Sequence, residues 1–228
     1  MLISPIIIAL DLDYEDSLEF AKKIDPEHCR LKVGSQLFTQ KGPQIIEELS
    51  MLGFDIFLDL KFHDIPNTVA SAVEVAAEMG VWMLNVHTSG GSKMMEAARQ
   101  AANKSANPPL VIGVTILTSL NQVDMNELGV EDISNQINDL ASLAHKSSLD
   151  GIVCSAGDVR NIKSLLGEDF LTITPGIRPI SAPKDDQSRI SSAKQAIEDG
   201  SDYLVIGRPI TQSSDPLKSL EIFLKEIG

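Results

Sequence analysis

Short apolar runs rich in β-branched residues recur along the chain, and longer stretches of mixed polarity separate them. One such stretch, YEDSLEFAKKI at residues 14–24, repeats its apolar residues at intervals of three and four, which predicts an amphipathic helix. Comparable stretches follow the other runs. Eight runs have the length and composition of buried strands, and they span residues 5–11, 29–35, 55–62, 82–89, 110–119, 151–156, 171–177 and 203–210. Their strict alternation with helices predicts parallel strands joined by right-handed crossovers.

Eight strand–helix units in 228 residues favour an α/β fold of the closed (β/α)8 (TIM) barrel type, which commonly takes roughly 200–250 residues. An open, doubly wound sheet usually carries a glycine-rich turn after its first strand, and residues 11–14 (DLDY) contain no glycine. Neither a linker nor a low-complexity segment interrupts the pattern. The sequence therefore predicts a single barrel domain over residues 1–228.

Composition and charge narrow the possible partners. The net charge of −13 disfavours a nucleic-acid or anionic-membrane surface, although a local basic pocket could still hold a small anion. The first residues lack the basic segment and long apolar core of a signal peptide, and no apolar run approaches the roughly 20 residues of a membrane span. We therefore expect a soluble, cytoplasmic protein. The two cysteines, Cys29 and Cys154, lie in apolar runs and are expected to be free buried thiols.

Charged residues lie unexpectedly within or just after the predicted strands. Active sites of (β/α)8 barrels lie at the carboxyl ends of the strands. Alternation along the third strand, residues 55–62, places Asp59 and Lys61 on the same face, and we expect that face to line the mouth of the barrel. Together with Asp11 and Lys32 they predict an alternating network in which each buried charge has an opposite neighbour. A lysine flanked by carboxylates stays protonated, which suits it to donate a proton. A purely structural cluster of ion pairs is the alternative interpretation.

A second group of residues is typical of an anion site. The eighth strand runs into Gly207 and Arg208 and then into the start of a short helix, and the seventh ends near Gly176 and Arg178. Backbone N–H groups and arginines at this edge of a barrel often hold phosphate. The four histidines argue against a histidine-based metal site, because their spacing matches no metal-ligand motif. Carboxylate-bound Mg²⁺ at Asp11 and Asp59 stays open.

The residues just described belong to a recognisable pattern. Residues 59–68 (DLKFHDIPNT) resemble the signature of the orotidine 5′-monophosphate (OMP) decarboxylase family. An Asp-x-Lys-x-x-Asp core is shared with related sugar-phosphate barrels, and the Ile-Pro-Asn-Thr extension makes the resemblance specific. Matching segments cover nearly the whole chain and lie at residues 9–11, 32–34, 117–119, 174–179, 186–189 and 206–210.

The resemblance implies a cofactor-free carboxy-lyase that converts OMP to UMP and CO₂ in pyrimidine biosynthesis. It implies that Lys61 donates a proton to C6 of the pyrimidine and that Asp59 lies against the departing carboxylate. Lys32 would link Asp59 to the ribose hydroxyls, with Asp11 also on the ribose. It implies, too, a homodimer with shared active sites, in which Asp64 and Thr68 reach into the neighbouring subunit's site.

The resemblance also assigns the remaining substrate contacts. Ser119 would touch the pyrimidine edge with Thr118 beside it, and Arg178 would lie at the base of a loop. Gln187 on that loop would hold the 5′-phosphate together with Arg208 and the Gly207 amide. Two rival interpretations stay open: a Mg²⁺-dependent sugar-phosphate decarboxylase or aldolase on the same barrel, and a catalytically inactive barrel that serves as a nucleotide-binding or scaffold protein.

Overall fold

Eight parallel strands form a closed barrel in the computed structural model, which describes residues 4–179 and 191–228. Each strand pairs with the next one along the chain, and the last pairs with the first. The strands are β1 (Ile6–Ala9), β2 (Arg30–Gly34), β3 (Ile56–Phe62), β4 (Met83–His87), β5 (Leu110–Val114), β6 (Gly151–Val153), β7 (Leu171–Pro175) and β8 (Tyr203–Ile206). All eight lie within the predicted runs, so the predicted (β/α)8 barrel is confirmed.

Helices connect successive strands and cover the outside of the barrel. They are α1 (Tyr14–Ala21), α2 (Ser35–Lys41), α3 (Pro43–Met51), α4 (Pro66–Glu78), α5 (Ser92–Ala102), α6 (Gln122–Glu127), α7 (Ile133–Lys146), α8 (Val159–Leu166), α9 (Ala193–Glu198), α10 (Arg208–Thr211) and α11 (Pro216–Ile227). The helices expected from the amphipathic stretches are present. Two short helices, α2 and α6, are additions that the hydrophobic pattern did not predict.

Several strands end before their apolar runs do, and as a result two candidate residues lie on a loop. The run 110–119 is a strand only as far as Val114, which pairs with His87 of β4 and Val153 of β6. Each of those partners is the last residue of its own strand, so the ladder cannot continue. Thr118 and Ser119 therefore lie on the loop after β5 rather than at a strand end.

The buried side chains form two layers. One packs between the sheet and the surrounding helices, and the other fills the barrel interior. The interior layer contains five buried apolar residues, Ile7, Phe57, Met83, Ile112 and Ile173. Burying one large apolar side chain contributes roughly 1.5–3 kcal/mol, so this layer is a substantial part of the core.

The interior layer also determines the position of the functional groups along the barrel axis. Asp59 follows Phe57 by two residues and Asn85 follows Met83 by two, so each points to the same side as its apolar predecessor. Apolar side chains therefore fill the barrel below, and polar side chains occupy the next layer towards the carboxyl ends of the strands.

Candidate active site

Strand β3 departs from regular pairing where it carries its charged residues. It pairs with β4 at Leu58–Leu84 and again at Phe62–Val86, so four steps along β3 match two along β4. Within this bulge Lys61 has a φ of 52°, in the left-handed region that non-glycine residues rarely adopt. Such a conformation costs on the order of 1–3 kcal/mol and persists only where surrounding contacts hold it.

The charged side chains form one alternating chain at the barrel mouth. The Lys61 Nζ atom lies 2.6 Å from Asp59 Oδ1, and the Lys32 Nζ atom lies 3.3 Å from Asp59 Oδ2. Lys32 also pairs with Asp11, at 3.2 Å. The order is therefore Asp11, Lys32, Asp59, Lys61, with each charge beside an opposite one, which is the alternation that the sequence pattern predicted.

Asp59 is the centre of this network. Burial alone would raise the pKa of its carboxyl group, but the positive charges of Lys32 and Lys61 act in the opposite direction. Hydrogen bonds from Lys61 and Asn85 favour the ionised form as well, and the net effect lowers the pKa below its ordinary value of 3.8. Asp59 is thus held as a carboxylate throughout the neutral pH range.

A cavity of about 420 Å³ opens beside the network, within the range of small-molecule sites. Its floor is the apolar interior of the barrel, and its rim is charged. Nine of the residues proposed from the sequence line it: Asp11, Lys32, Asp59, Lys61, Thr118, Gly176, Arg178, Gly207 and Arg208. Groups that are far apart in the chain therefore line one cavity.

Three proposed residues that the structure describes do not line this cavity. Asp64 and Thr68 are exposed, on the segment between β3 and the first turn of α4. Ser119 is also exposed, one residue beyond the lining residue Thr118. Gln187 lies outside the described residues.

The predicted anion-binding edge is formed by the ends of β7 and β8. Gly207 lies between β8 and the short helix α10, and Gly176 follows β7 with a φ of 81°. Arg178 is buried, and its Nη1 donates a hydrogen bond to the Ile177 carbonyl. Gly34, at the end of β2, also lines the cavity, and a Cβ atom there would lie 3.1 Å from Lys32 Nζ. A side chain at Gly34 would therefore crowd the Lys32 ammonium group.

Two histidines lie next to the network. The rings of His63 and His87 pack with centroids 5.4 Å apart. Burial lowers the pKa of His87 below its ordinary value of 6.5, and the neighbouring His63 and Lys61 lower it further, against an opposing effect of Asp59. His87 is therefore neutral at pH 7 and adds no positive charge beside Lys61.

Asn85 on β4 is a site residue that the sequence reasoning missed. Its side chain is fully buried, lines the cavity and hydrogen-bonds both Asp59 and the Lys61 backbone. The available signal was a polar residue inside the apolar run WMLNVH, in the same alternation as Met83 and His87.

Neither a metal centre nor a membrane span is found in residues 4–179 and 191–228. There, His, Cys, Asp and Glu side chains form no group of three or more that could hold a metal ion. Within the same ranges, each helix is too short or too polar to cross a bilayer. Both cysteines are buried, as predicted, and burial raises the pKa of the Cys29 thiol to about 12.

The fold and the site together define a class of barrel with a charged, lysine-containing mouth around a cavity of small-molecule size. Comparison with known proteins identifies the family within that class. The model of the orotidine 5′-phosphate decarboxylase / HUMPS family matches residues 4–223. The chain belongs to this family.

Individual relatives support the same assignment. Orotidine 5′-phosphate decarboxylase of Saccharophagus degradans is 54% identical over 225 residues, covering 98% of this chain and 94% of the relative. The protein of the same name from Dichelobacter nodosus is 54% identical over 223 residues, covering 97% of each. Among solved structures, orotidine 5′-phosphate decarboxylase from Lactobacillus acidophilus superposes with a TM-score of 0.88 at 38% identity, covering 98% of this chain and 99% of that one.

Proposed function

We propose that this protein decarboxylates OMP to UMP and CO₂, with Lys61 as the proton donor to C6 of the pyrimidine. The observation that carries the proposal is the Asp11–Lys32–Asp59–Lys61 chain of charges beside a cavity of small-molecule size, in a member of this family. Close relatives named for the same activity support the choice of substrate.

The chemical step needs a cation and a proton at one place. The bond between C6 and the carboxyl carbon breaks, CO₂ leaves, and the electron pair stays on C6. The Lys61 ammonium group then gives a proton to C6, which yields UMP and leaves a neutral amine to be reprotonated from water. Because Lys61 is held 2.6 Å from Asp59 before substrate arrives, its charge is already oriented for the developing carbanion.

Asp59 and Lys32 hold the proton donor in place. A lowered pKa keeps Asp59 ionised, so it fixes the Lys61 ammonium and lies against the departing carboxylate of the substrate. Lys32 links Asp59 to the ribose hydroxyls, and Asp11 also reaches the ribose from its more exposed position. We assign four residues to catalysis: Lys32, Asp59, Lys61 and Asp64.

The rest of the substrate is held farther from the reacting carbon. We assign the 5′-phosphate to Arg208, the Gly207 amide and Gln187, with Arg178 at the base of the loop that carries Gln187. Thr118 and Ser119 are assigned to the pyrimidine edge. Binding energy from such remote contacts orders the site around the reacting atoms.

We further propose that the protein acts as a homodimer with shared active sites. Asp64 and Thr68 are exposed and lie outside the cavity of their own chain, which is the position expected of residues lent to a partner. We expect no nucleic-acid or membrane partner, and the cytoplasmic location stays a prediction.

Loss of OMP absorbance on addition of the purified protein tests the proposed reaction. We expect turnover without any added cofactor, with one UMP formed for each OMP consumed. Binding of UMP without turnover of OMP would instead indicate an inactive nucleotide-binding barrel. Absence of both would contradict the proposed function.

A further inference from the structure

Asn85 joins the two central residues of the site through the two ends of one amide. Its Oδ1 accepts a hydrogen bond from the Lys61 backbone N–H at 2.8 Å, and its Nδ2 donates one to Asp59 Oδ1 at 2.7 Å. The residue is completely buried in the middle of β4. Asp59 Oδ1 therefore receives both the Asn85 amide and the Lys61 ammonium group.

The chemistry of these two contacts requires an amide. A backbone N–H can only donate, and an ionised carboxylate can only accept, so the residue between them must offer one acceptor and one donor. These partners also fix which end of the Asn85 amide is oxygen. An ionised aspartate at this position would face the Asp59 carboxylate with a like charge, and an aliphatic residue would leave the Lys61 N–H unpaired.

The contact to the backbone matters because of the conformation of Lys61. The positive φ of Lys61 lies within the pairing irregularity of β3, between Leu58 and Phe62, where the β3–β4 ladder gives Lys61 no registered partner. A buried N–H without a partner is destabilising, and so is the left-handed conformation itself. Without Asn85 this left-handed conformation would lose the contact that holds it, and relaxation of the backbone would shift the Lys61 side chain relative to Asp59.

We propose that Asn85 is the positioning residue of the active site, which sets the backbone of Lys61 and the carboxylate of Asp59 in a single geometry. The inference rests on the proposed function for its kinetic consequence. Asn85 acts through these two residues, and we assign it no chemical step of its own.

Two substitutions test this role by different means. Asn85→Ala removes both contacts, and a misplacement of about 1 Å at a reacting group costs on the order of 100-fold in rate. We therefore expect kcat to fall by about 100-fold. The dissociation constant of UMP should change less than about threefold, because the proposed ribose and phosphate contacts lie elsewhere.

Asn85→Asp is isosteric, and in this variant the two hydrogen bonds depend on the protonation state of the new carboxyl and therefore on pH. The protonated carboxyl of the variant offers an O–H to Asp59 and a carbonyl to the Lys61 N–H, so it reproduces both contacts. The ionised form loses the donor and repels Asp59, which also raises the pKa of the new carboxyl. The ratio of variant to wild-type kcat should therefore be highest at low pH and fall by up to about tenfold per pH unit once the new carboxyl ionises.

A matched control separates positioning from a loss of stability. Thr172 is also a fully buried polar residue on a barrel strand, but it lies near the start of β7 and donates to Asp202 Oδ2. Thr172→Val should lower the melting temperature and leave kcat and its pH profile unchanged.

Three results would overturn the inference while wild-type turnover of OMP stands. The first is a folded Asn85→Ala variant with kcat within about threefold of wild type. The second is a loss of UMP affinity in Asn85→Ala as large as its loss of kcat. The third is a ratio of Asn85→Asp to wild-type kcat that does not vary with pH. If Asn85→Ala does not fold, the pH dependence of Asn85→Asp decides. An inactive wild-type protein would instead contradict the proposed function.

Discussion

Two aspartates that pair with the same lysine should differ greatly in their contribution to stability. Asp59 lies 3.3 Å and Asp11 3.2 Å from Lys32 Nζ, but their side chains are 13% and 60% exposed. Removing one partner of a buried ion pair costs about 3–5 kcal/mol, whereas an exposed pair contributes about 0–1 kcal/mol. We therefore predict a loss of about 3–5 kcal/mol for Asp59→Asn and about 0–1 kcal/mol for Asp11→Asn.

Denaturation of the two variants beside the wild type measures this difference. For a chain of this length, 1 kcal/mol shifts the melting temperature by about 2–4 °C. The Asp59→Asn variant should therefore melt about 6–20 °C below the wild type, and the Asp11→Asn variant about 0–4 °C below it. All samples need the same protein concentration, because an oligomer melts at a concentration-dependent temperature.

The pH dependence of the same experiment follows from the lowered pKa of Asp59. A carboxyl whose pKa is lower in the folded state stabilises folding above its unfolded pKa of about 3.9. That contribution is lost as the pH falls through the lowered folded value. The gap between the wild type and Asp59→Asn should thus be full at pH 7 and narrow below about pH 4. Equal losses for the two aspartate variants at pH 7 would refute this reasoning, as would a gap that widens in acid.

Three further predictions concern the dimer, metal dependence and the thiols. Mixing Lys61→Ala and Asp64→Ala chains under subunit exchange should restore activity towards about half per mixed dimer. In a mixed dimer one site carries both substitutions and the other carries neither, so the second site is active. No recovery of activity, with subunit exchange confirmed by a tag, would contradict shared sites. Dialysis against a chelator should leave turnover unchanged, and a requirement for added Mg²⁺ would favour the sugar-phosphate rival. Cys29 and Cys154 should resist alkylation in the native protein and react rapidly in denaturant, because burial raises the pKa of both thiols; rapid native labelling would contradict their burial.

The barrel could be predicted because its strands and most of its helices differ in hydrophobic period. The short helices α2 and α6 were missed, since each buries a single residue, Leu37 and Met125 respectively, and so shows almost no period. The end of β5 was placed too late because residues 115–117 (TIL) continue the apolar run. Whether a ladder continues depends on the neighbouring strands, which a local pattern does not describe.

The charged part of the site was visible in the sequence for a physical reason. Asp59 and Lys61 in a buried strand imply opposite charges nearby, and the ends of parallel strands meet at one edge. Asn85 carries no charge, so although a buried amide also needs hydrogen-bond partners, its segment gave a weaker signal than the charged strand and did not say which residues those partners are. The left-handed conformation of Lys61 is also a tertiary effect, because it depends on a hydrogen bond to a residue 24 positions away.

Turnover of OMP by Lys61→Ala, measured beside the wild type and the exposed-lysine control Lys104→Ala, tests the central claim most directly. Lys104 is 62% exposed and pairs with Glu74 on the helical surface, so its removal should not affect catalysis. We predict that Lys61→Ala stays folded and binds UMP but forms no measurable UMP from OMP, while Lys104→Ala turns over like the wild type. A Lys61→Ala protein that converts OMP at close to the wild-type rate would remove Lys61 as the proton donor and contradict the mechanism.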